Sequence, residues 1–217
     1  TLSHKEEEHV VASAILVNVE KVVSLRPDLV VATSITNPET LLLLKNMGIR
    51  TELFRDPESF EGICTQFIEI GRLIGKEREA VEIVSQSRAK VKSLTQTQVE
   101  GKQPGIFFQI GAKPLFTVIP NTFMNDYILL AGGRNIAADL KNGLITRESV
   151  LARNPDIIII VTMGLTGEEE RKIWMNYTFL NASIQKKIYL IDSDLACLPT
   201  PVTFVQTLEE IIKMIHN

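Results

Sequence analysis

Cysteine and histidine are scarce in this sequence, with two and three among 217 residues. Cys64 and Cys197 are far apart and fit neither the CxxC redox motif nor the spacing of zinc ligands, so we expect two free, partly buried thiols. His4 and His9 are five residues apart, which does not place them on one helical face. Because imidazole is the usual protein ligand for free transition-metal ions, this composition disfavours a site for a free metal ion.

Strong charge and long apolar runs are also lacking. The formal net charge is −3, so there is no excess of positive charge of the kind that binds nucleic acid. The longest apolar stretch, residues 157–161, has the length of a strand, whereas a membrane-spanning helix needs roughly 20 apolar residues. The chain begins without a signal-like segment, so no targeting sequence reveals its compartment.

Common catalytic motifs are absent as well. Gly132 and Gly133 do not follow a strand at the spacing of a phosphate-binding loop, and neither GxxxxGK nor GxSxG occurs. His216 lies too close to the chain end to make a convincing catalytic base. Asp192 and Asp194 follow a predicted strand and could bind a metal, but acids at such turns more often cap a helix or face solvent. We therefore expect no catalytic residues and no enzymatic activity.

What the sequence does contain is an alternation of short apolar strands with amphipathic helices. Continuous β-branched runs are typical of parallel strands that are covered on both faces. This alternation predicts an α/β fold with mostly parallel sheets, helices on their faces and right-handed crossovers. The predicted strands are residues 29–32, 49–54, 106–110, 157–161 and 188–191.

A long helix is predicted in the middle of the chain, at residues 76–98. The segment follows Gly75 and has no Pro or Gly, and at 1.5 Å per residue it would be roughly 30–35 Å long. It is either an ordinary surface helix or a rigid connection between two halves. Its apolar face consists of Ala80, Val84, Val91 and Leu94, with Val81 beside them.

An internal repeat surrounds this helix and favours the connection. The segment VEKVVSLRPDLVVATS resembles RESVLARNPDIIIIVT, and the predicted order of elements after each copy is the same. We interpret the shared aspartates as turn residues between a helix and a strand rather than as a carboxylate pair. The identities pair Glu20 with Glu148, Val22 with Val150, Pro27 with Pro155 and Asp28 with Asp156.

The two copies differ in what precedes them. A strand and a helix within residues 106–131 precede the second copy, but only residues 1–17 precede the first. We therefore expect an opening βα unit to be missing from the first half. In such sheets ligands bind beyond the carboxyl ends of the strands. This rule selects the loops 34–37, 55–56, 109–116, 163–166 and 192–195.

Four segments at and around these loops are NVEKVVSLRPDLVVA, IFFQIGAKPLFT, NDYILLAGGRNIA and ITRESVLARNPDIIII. With these segments the sequence resembles the iron-siderophore, haem and vitamin B12 family of substrate-binding proteins of ABC transporters. The B12-binding members are especially similar around IFFQIGAKPLFT. The resemblance implies two α/β lobes with mostly parallel sheets, joined by one long helix. The expected boundaries are 1–75 for an incomplete first lobe, 76–98 for the connecting helix and 99–217 for the second lobe.

The resemblance implies a protein that captures an iron or cobalt chelate between its lobes and has no resident cofactor or metal site. Phe116 and Met163 would then contact the organic surface of the chelate. Arg55 and Lys113 would pair with carboxylate or phosphate groups. Ser34 and Gln109 would form hydrogen bonds.

The same family docks on its membrane permease through one acidic residue on each lobe. By position these residues are Glu39 in the first lobe and Glu168 or Glu169 in the second. Each acid would equally stabilise a helix N-terminus, and the two roles are compatible. The resemblance further implies a monomer outside the cytoplasm, periplasmic or extracellular, held to the membrane by the permease or by a lipid anchor.

Two rival interpretations remain open at this point. One is an enzyme subunit on a related two-lobed α/β fold, such as a metal-chelatase or nitrogenase-like subunit. Such an enzyme needs clustered His, Cys or acidic residues at strand ends, and only Asp192 and Asp194 qualify. The other is a binding protein for a free metal ion, which the lack of histidine near the predicted cleft disfavours.

Overall fold

The computed structural model describes residues 17–96, 103–162 and 166–216, with the side chains of positions 162 and 166 excepted. The chain forms two compact units, Thr1–Asp56 and Pro57–Asn217. Both contain helices and parallel strand pairs, which confirms the predicted α/β class. The lobe boundaries predicted from the sequence stay a prediction. None of the helices in the described ranges combines the length and apolarity needed to cross a bilayer.

The first unit alternates helix and strand as predicted. The Asn18 and Asn37 side chains accept hydrogen bonds from backbone N–H groups in the first turns of the two helices, and Pro38 occupies the first turn of the second helix. The elements are α1 (Val19–Ser24), β1 (Val30–Thr33), α2 (Pro38–Asn46) and β2 (Thr51–Phe54). Strands β1 and β2 pair in parallel, with Val30 opposite Thr51.

The elements of the second unit are α3 (Phe60–Leu73), α4 (Glu77–Gln96), β3 (Gly105–Ala112), β4 (Leu115–Thr117), α5 (Phe123–Leu130), β5 (Arg134–Asn135), α6 (Arg147–Arg153), β6 (Ile157–Thr162), α7 (Thr166–Met175), α8 (Asn181–Ile184), β7 (Ile188–Asp192), α9 (Ser193–Ala196) and α10 (Pro201–His216). The unit is built on a sheet with the strand order β4-β3-β6-β7, in which β5 also pairs with β3. All of these pairs are parallel except β3 with β4.

One predicted loop is wrong. Residues 109–116 form the end of β3, a tight turn and the start of the antiparallel strand β4, with Ala112 opposite Leu115. Gly111 and Pro114 suggested a loop, but β4 has only three residues and is too short to show a strand pattern. The one-turn helices α8 and α9 were not predicted from the sequence either.

Both faces of the central sheet are buried, as the continuous apolar strands predict. Ile157 and Ile159 belong to a cluster with residues of α3, α4, α5 and α10. Ile158 and Ile160 point to the opposite face, in a cluster with Trp174 and residues of α6 and α8. Alternate residues of a strand point to opposite faces, so each apolar run serves two cores.

The long helix α4 lies in the second unit and contributes to its core. Ala80, Val84 and Val91 are buried on the predicted face, whereas Val81 is exposed. The helix passes so close to α3 that a Cβ added to Gly71 would lie 2.5 Å from the Cβ of Ala80. The predicted helix and its apolar face are confirmed, and its role as the connection between two lobes stays a prediction.

The repeat is visible in the backbone. Arg26 and Asn154 each follow a helix and precede a proline, and both adopt left-handed conformations, with φ of 48° and 43°. A strand follows in each case. The Asp156 carboxylate accepts hydrogen bonds from the Gly105 N–H at 2.8 Å and from Asn181 at 3.2 Å, which confirms its structural role at this turn.

The two cysteines are free. Cys64 is buried in the core of the second unit, and its burial raises the pKa of the thiol to about 11. Cys197 is half-buried, and burial raises its pKa as well. Both observations confirm the expectation of free, partly buried thiols.

Candidate functional site

A cleft of about 690 Å³ opens at the carboxyl ends of β3 and β6 in the second unit. Its walls come from the end of β3, the turn to β4, the end of β6 and the first two turns of α7. Most of the surface is apolar, and a few polar side chains are interspersed. The lining residues are Gln109, Ile110, Gly111, Ala112, Lys113, Pro114, Phe116, Ile160, Val161, Gly167, Glu169, Glu170 and Ile173.

The β3–β4 hairpin shapes one wall of the cleft. The Thr117 N–H donates to the Gly143 carbonyl at 2.8 Å, which holds the segment after α5 against β4. A Cβ on Gly143 would lie 2.8 Å from the Phe116 ring and 2.7 Å from the Thr117 carbonyl oxygen, so this close approach requires glycine. Phe116 is 36% exposed and presents apolar surface to the cleft.

Gln109 joins the cleft wall to a buried polar network. Its amide nitrogen donates to the Glu170 carboxylate at 2.9 Å and to the Gly111 carbonyl at 3.2 Å. Its amide oxygen accepts from the Trp174 indole N–H at 2.7 Å. Gln109, Glu170 and Trp174 are 1%, 4% and 0% exposed.

Arg147 completes this network from the far side of Glu170. Its Nη2 donates to both carboxylate oxygens of Glu170, at 2.8 and 2.6 Å. The guanidinium carbon lies 4.8 Å from the centre of the Trp174 ring, within the range of a cation–π interaction. The network therefore ties the first turn of α6 and the helix α7 to the end of β3.

The predicted ligand-contact residues fall into two groups. Gln109, Lys113 and Phe116 all line the cleft in the second unit. Ser34 and Arg55 lie in the first unit, after β1 and β2, where the Ser34 hydroxyl donates to the Asp56 carboxylate at 2.6 Å. The predicted contact at position 163, Met163, lies outside the described residues.

The acidic residues predicted to dock on a permease occupy first turns of helices. Glu39 is exposed at the start of α2, where the Asn37 side chain caps its N–H. Glu168 and Glu169 are exposed at the start of α7. Glu168 pairs with Arg171 at 3.4 Å, and Glu169 lines the cleft. All three carboxylates lie where a helix dipole stabilises negative charge.

The possible metal-binding pair at the end of β7 has a structural explanation. The Asp192 carboxylate accepts the Asp194 N–H at 2.7 Å and caps helix α9. Within the described ranges, no group of three or more His, Cys, Asp or Glu side chains is placed to hold a metal ion.

Several residues of the site were not predicted from the sequence. Ile160 and Ile173 line the cleft, and Arg147 and Glu170 form the ion pair behind it. The predicted strand 157–161 could have indicated Ile160. The ion pair joins positions 23 apart in the chain, and Gln109 and Glu170 are 61 apart, so only the folded structure brings them together.

Comparisons of this chain with known proteins gave consistent matches. A family model described as periplasmic binding protein matches residues 3–195. An uncharacterized ABC transporter substrate-binding lipoprotein of Bacillus subtilis is 29% identical over 210 residues, covering 92% of this chain and 65% of the relative. A vitamin B12-binding protein of Yersinia pestis is 31% identical over 161 residues, covering 73% of this chain and 57% of the relative. The chain thus spans less than two thirds of the length of either relative.

A solved structure is similar over nearly the whole chain. It is that of a possible iron-binding (periplasmic solute-binding) protein from Staphylococcus epidermidis. The TM-score is 0.82 at 25% identity, and the match covers 94% of this chain and 82% of that one. The fold described above is therefore shared with that protein.

Proposed function

Because this chain belongs to the periplasmic binding protein family, we propose that it is the substrate-binding component of an ABC importer. It captures a metal chelate, either a ferric siderophore, cobalamin or haem, and delivers it to the membrane-spanning permease subunits. It is a monomer without catalytic activity that acts in the periplasm or at the cell surface, free or held by a lipid anchor. The lipoprotein relative in Bacillus subtilis supports this placement.

The observation that carries the proposal is the apolar cleft at the carboxyl ends of β3 and β6. Its volume of about 690 Å³ lies within the range of small-molecule sites, roughly 300–1,000 Å³. Apolar walls with a few polar groups suit the organic surface of a large chelate. Phe116 and the isoleucines contact that surface, and Lys113 pairs with an anionic group at the edge.

Cobalamin is the chelate to test first. The vitamin B12-binding relative supports this choice, and so does the resemblance of the B12-binding members around the β3–β4 hairpin. That hairpin supplies Lys113 and Phe116 to the cleft. In the first unit, Ser34 and Arg55 remain proposed contacts at the ends of β1 and β2, and Met163 remains a proposed apolar contact.

Titration with chelates tests the proposal. Trp174 is the single tryptophan and is hydrogen-bonded to Gln109 in the cleft wall, so its fluorescence reports on the cleft. We expect saturable quenching by cobalamin, and haemin and a ferric siderophore serve as competing probes. Phe116→Ala should weaken binding roughly tenfold, because it removes a large apolar contact surface.

Phe179→Ala is the matched control, since Phe179 is also exposed but does not line the cleft. This variant should bind as tightly as the parent protein. The absence of any saturable response to all three chelates, in a chain of the relatives' full length, would overturn the chelate-binding proposal. Equal loss of binding in both phenylalanine variants would show that the cleft is not the site.

In the part of the chain that the structure describes, no observation favours the rival enzyme subunit. Its candidate ligands Asp192 and Asp194 form a helix cap. Loss of metal binding in a double Asp192→Ala, Asp194→Ala variant would be needed to revive it.

A further inference from the structure

A buried polar network lies behind the cleft wall and uses both the amide nitrogen and the amide oxygen of Gln109, which also lines the cleft. It consists of Gln109 on β3, Arg147 on α6, and Glu170 and Trp174 on α7. Burying a charged carboxylate is costly unless it is paired and hydrogen-bonded. Glu170 meets both conditions, with three hydrogen bonds from Gln109 and Arg147.

The chemistry of the partners fixes the orientation of the Gln109 amide. An indole N–H only donates and an ionised carboxylate only accepts. The amide oxygen must therefore face Trp174, and the amide nitrogen must face Glu170. Both amide hydrogens are used, since the second donates to the Gly111 carbonyl. A rotation of this amide by 180° would place a donor against the indole and an acceptor against the carboxylate.

Arg147 supplies the positive charge that offsets the cost of burying the Glu170 carboxylate. Its side chain is 24% exposed, while that of Glu170 is 6% exposed, so the ion pair is largely shielded from water. Its Nη1 is buried without a hydrogen-bond partner among the described residues, and the guanidinium lies over the Trp174 ring. The cation is therefore held by both the carboxylate and the aromatic face.

We infer that Glu170 and Arg147 are positioning residues for ligand binding. The ion pair holds the Gln109 amide and the Trp174 indole in one orientation, and it anchors the first turns of α7, which supply Gly167, Glu169 and Ile173 to the cleft. A wall that is already ordered loses little conformational freedom when a ligand binds, which favours affinity. This inference rests on the proposed function, because it concerns the ligand of the same cleft.

The decisive variant is Glu170→Gln. Its neutral amide has a single oxygen for two donors, and its NH2 group would face the donors of Gln109 or Arg147. We expect the chelate Kd to rise roughly tenfold to a hundredfold. The emission maximum and near-UV circular dichroism of Trp174 should change in the unliganded protein, because the hydrogen bond to its indole is no longer fixed.

Glu148→Gln is the matched control, because it makes the same change at an exposed position in the first turn of α6, and Glu148 does not line the cleft. It should change neither the Kd nor the tryptophan spectra. Arg147→Lys keeps the positive charge but loses the paired donors and the planar contact with the indole. Its Kd should lie between those of the parent protein and Glu170→Gln, and it serves if Glu170→Gln does not fold.

The outcomes separate the two proposals. If the parent protein binds a chelate and both Glu170→Gln and Arg147→Lys bind it with unchanged Kd, the positioning role is wrong and the proposed function stands. A lowered melting temperature with unchanged Kd and tryptophan spectra would equally overturn it, since the ion pair would then serve stability alone. If the parent protein binds no chelate, the proposed function fails and this inference fails with it.

Discussion

At the scale of single residues, Asp126 links two helix starts in the second unit. Its carboxylate, at the beginning of α5, accepts the backbone N–H of Phe60 at the beginning of α3, at 2.8 Å. Burial raises the pKa of Asp126, and the hydrogen bond from Phe60 offsets part of this rise. The folded protein therefore binds this proton more tightly than the unfolded chain does.

This raised pKa predicts a pH-dependent effect of Asp126→Asn. Above about pH 4 the folded state binds this proton more than the unfolded chain does, so the free energy of unfolding decreases as the pH rises. The cause is that Asp126 must ionise in a partly buried place. Asparagine still accepts the Phe60 N–H but does not ionise. The free energy of unfolding of Asp126→Asn, measured with urea, should therefore increase relative to the parent protein between about pH 4 and pH 7.

Asp126→Ala separates the hydrogen bond from the charge. It leaves the Phe60 N–H without its acceptor, so it should be less stable than Asp126→Asn by about 1 kcal/mol at every pH. A pH-independent difference between Asp126→Asn and the parent protein would contradict the raised pKa.

At the scale of elements, α4 provides a matched pair of valines. Val84 is 1% exposed in the core, whereas Val81 is 46% exposed on the same helix. Val84→Ala should lower the free energy of unfolding by about 1–3 kcal/mol, because it removes buried methyl groups and leaves a cavity. Val81→Ala should change it by less than about 0.5 kcal/mol. Urea unfolding curves with equal slopes give the free energies of unfolding of both variants. Equal decreases in the two variants would show that the described buried face of α4 is wrong.

The elements show which features can be predicted from a sequence. A continuous apolar run predicted β6, and the spacing of apolar residues three and four positions apart predicted the buried face of α4. Strand β4 was not predicted, because it has only three residues and follows Gly111 and Pro114, which suggested a loop. The cleft position of Gln109 was predicted from its place at the carboxyl end of a predicted strand, but its partner Glu170 depends on packing between distant segments.

At the scale of the whole molecule, we expect that mutations can separate docking on the permease from chelate binding. Glu39 lies in the first unit and Glu168 in the second; both are exposed, and neither lines the cleft. Replacing both with arginine should leave chelate affinity within about twofold, since rim charges contribute little to affinity. Delivery to the importer should be lost, measured as chelate uptake by permease reconstituted in vesicles. Glu79→Arg, at an exposed position on α4, is the control.

Normal uptake with the double variant would contradict docking through these acids. A parallel loss of chelate affinity would show that these acids act in ligand binding and not in docking alone.

The paired turns before Pro27 and Pro155 have a consequence for protein engineering. Left-handed backbone costs a residue with a Cβ roughly 1–2 kcal/mol, and asparagine is among the residues that tolerate it best. The second copy has Asn154 at this position, whereas the first has Arg26. Arg26→Asn would place the residue of the second copy at the equivalent position of the first copy, where it should relieve backbone strain and stabilise the protein.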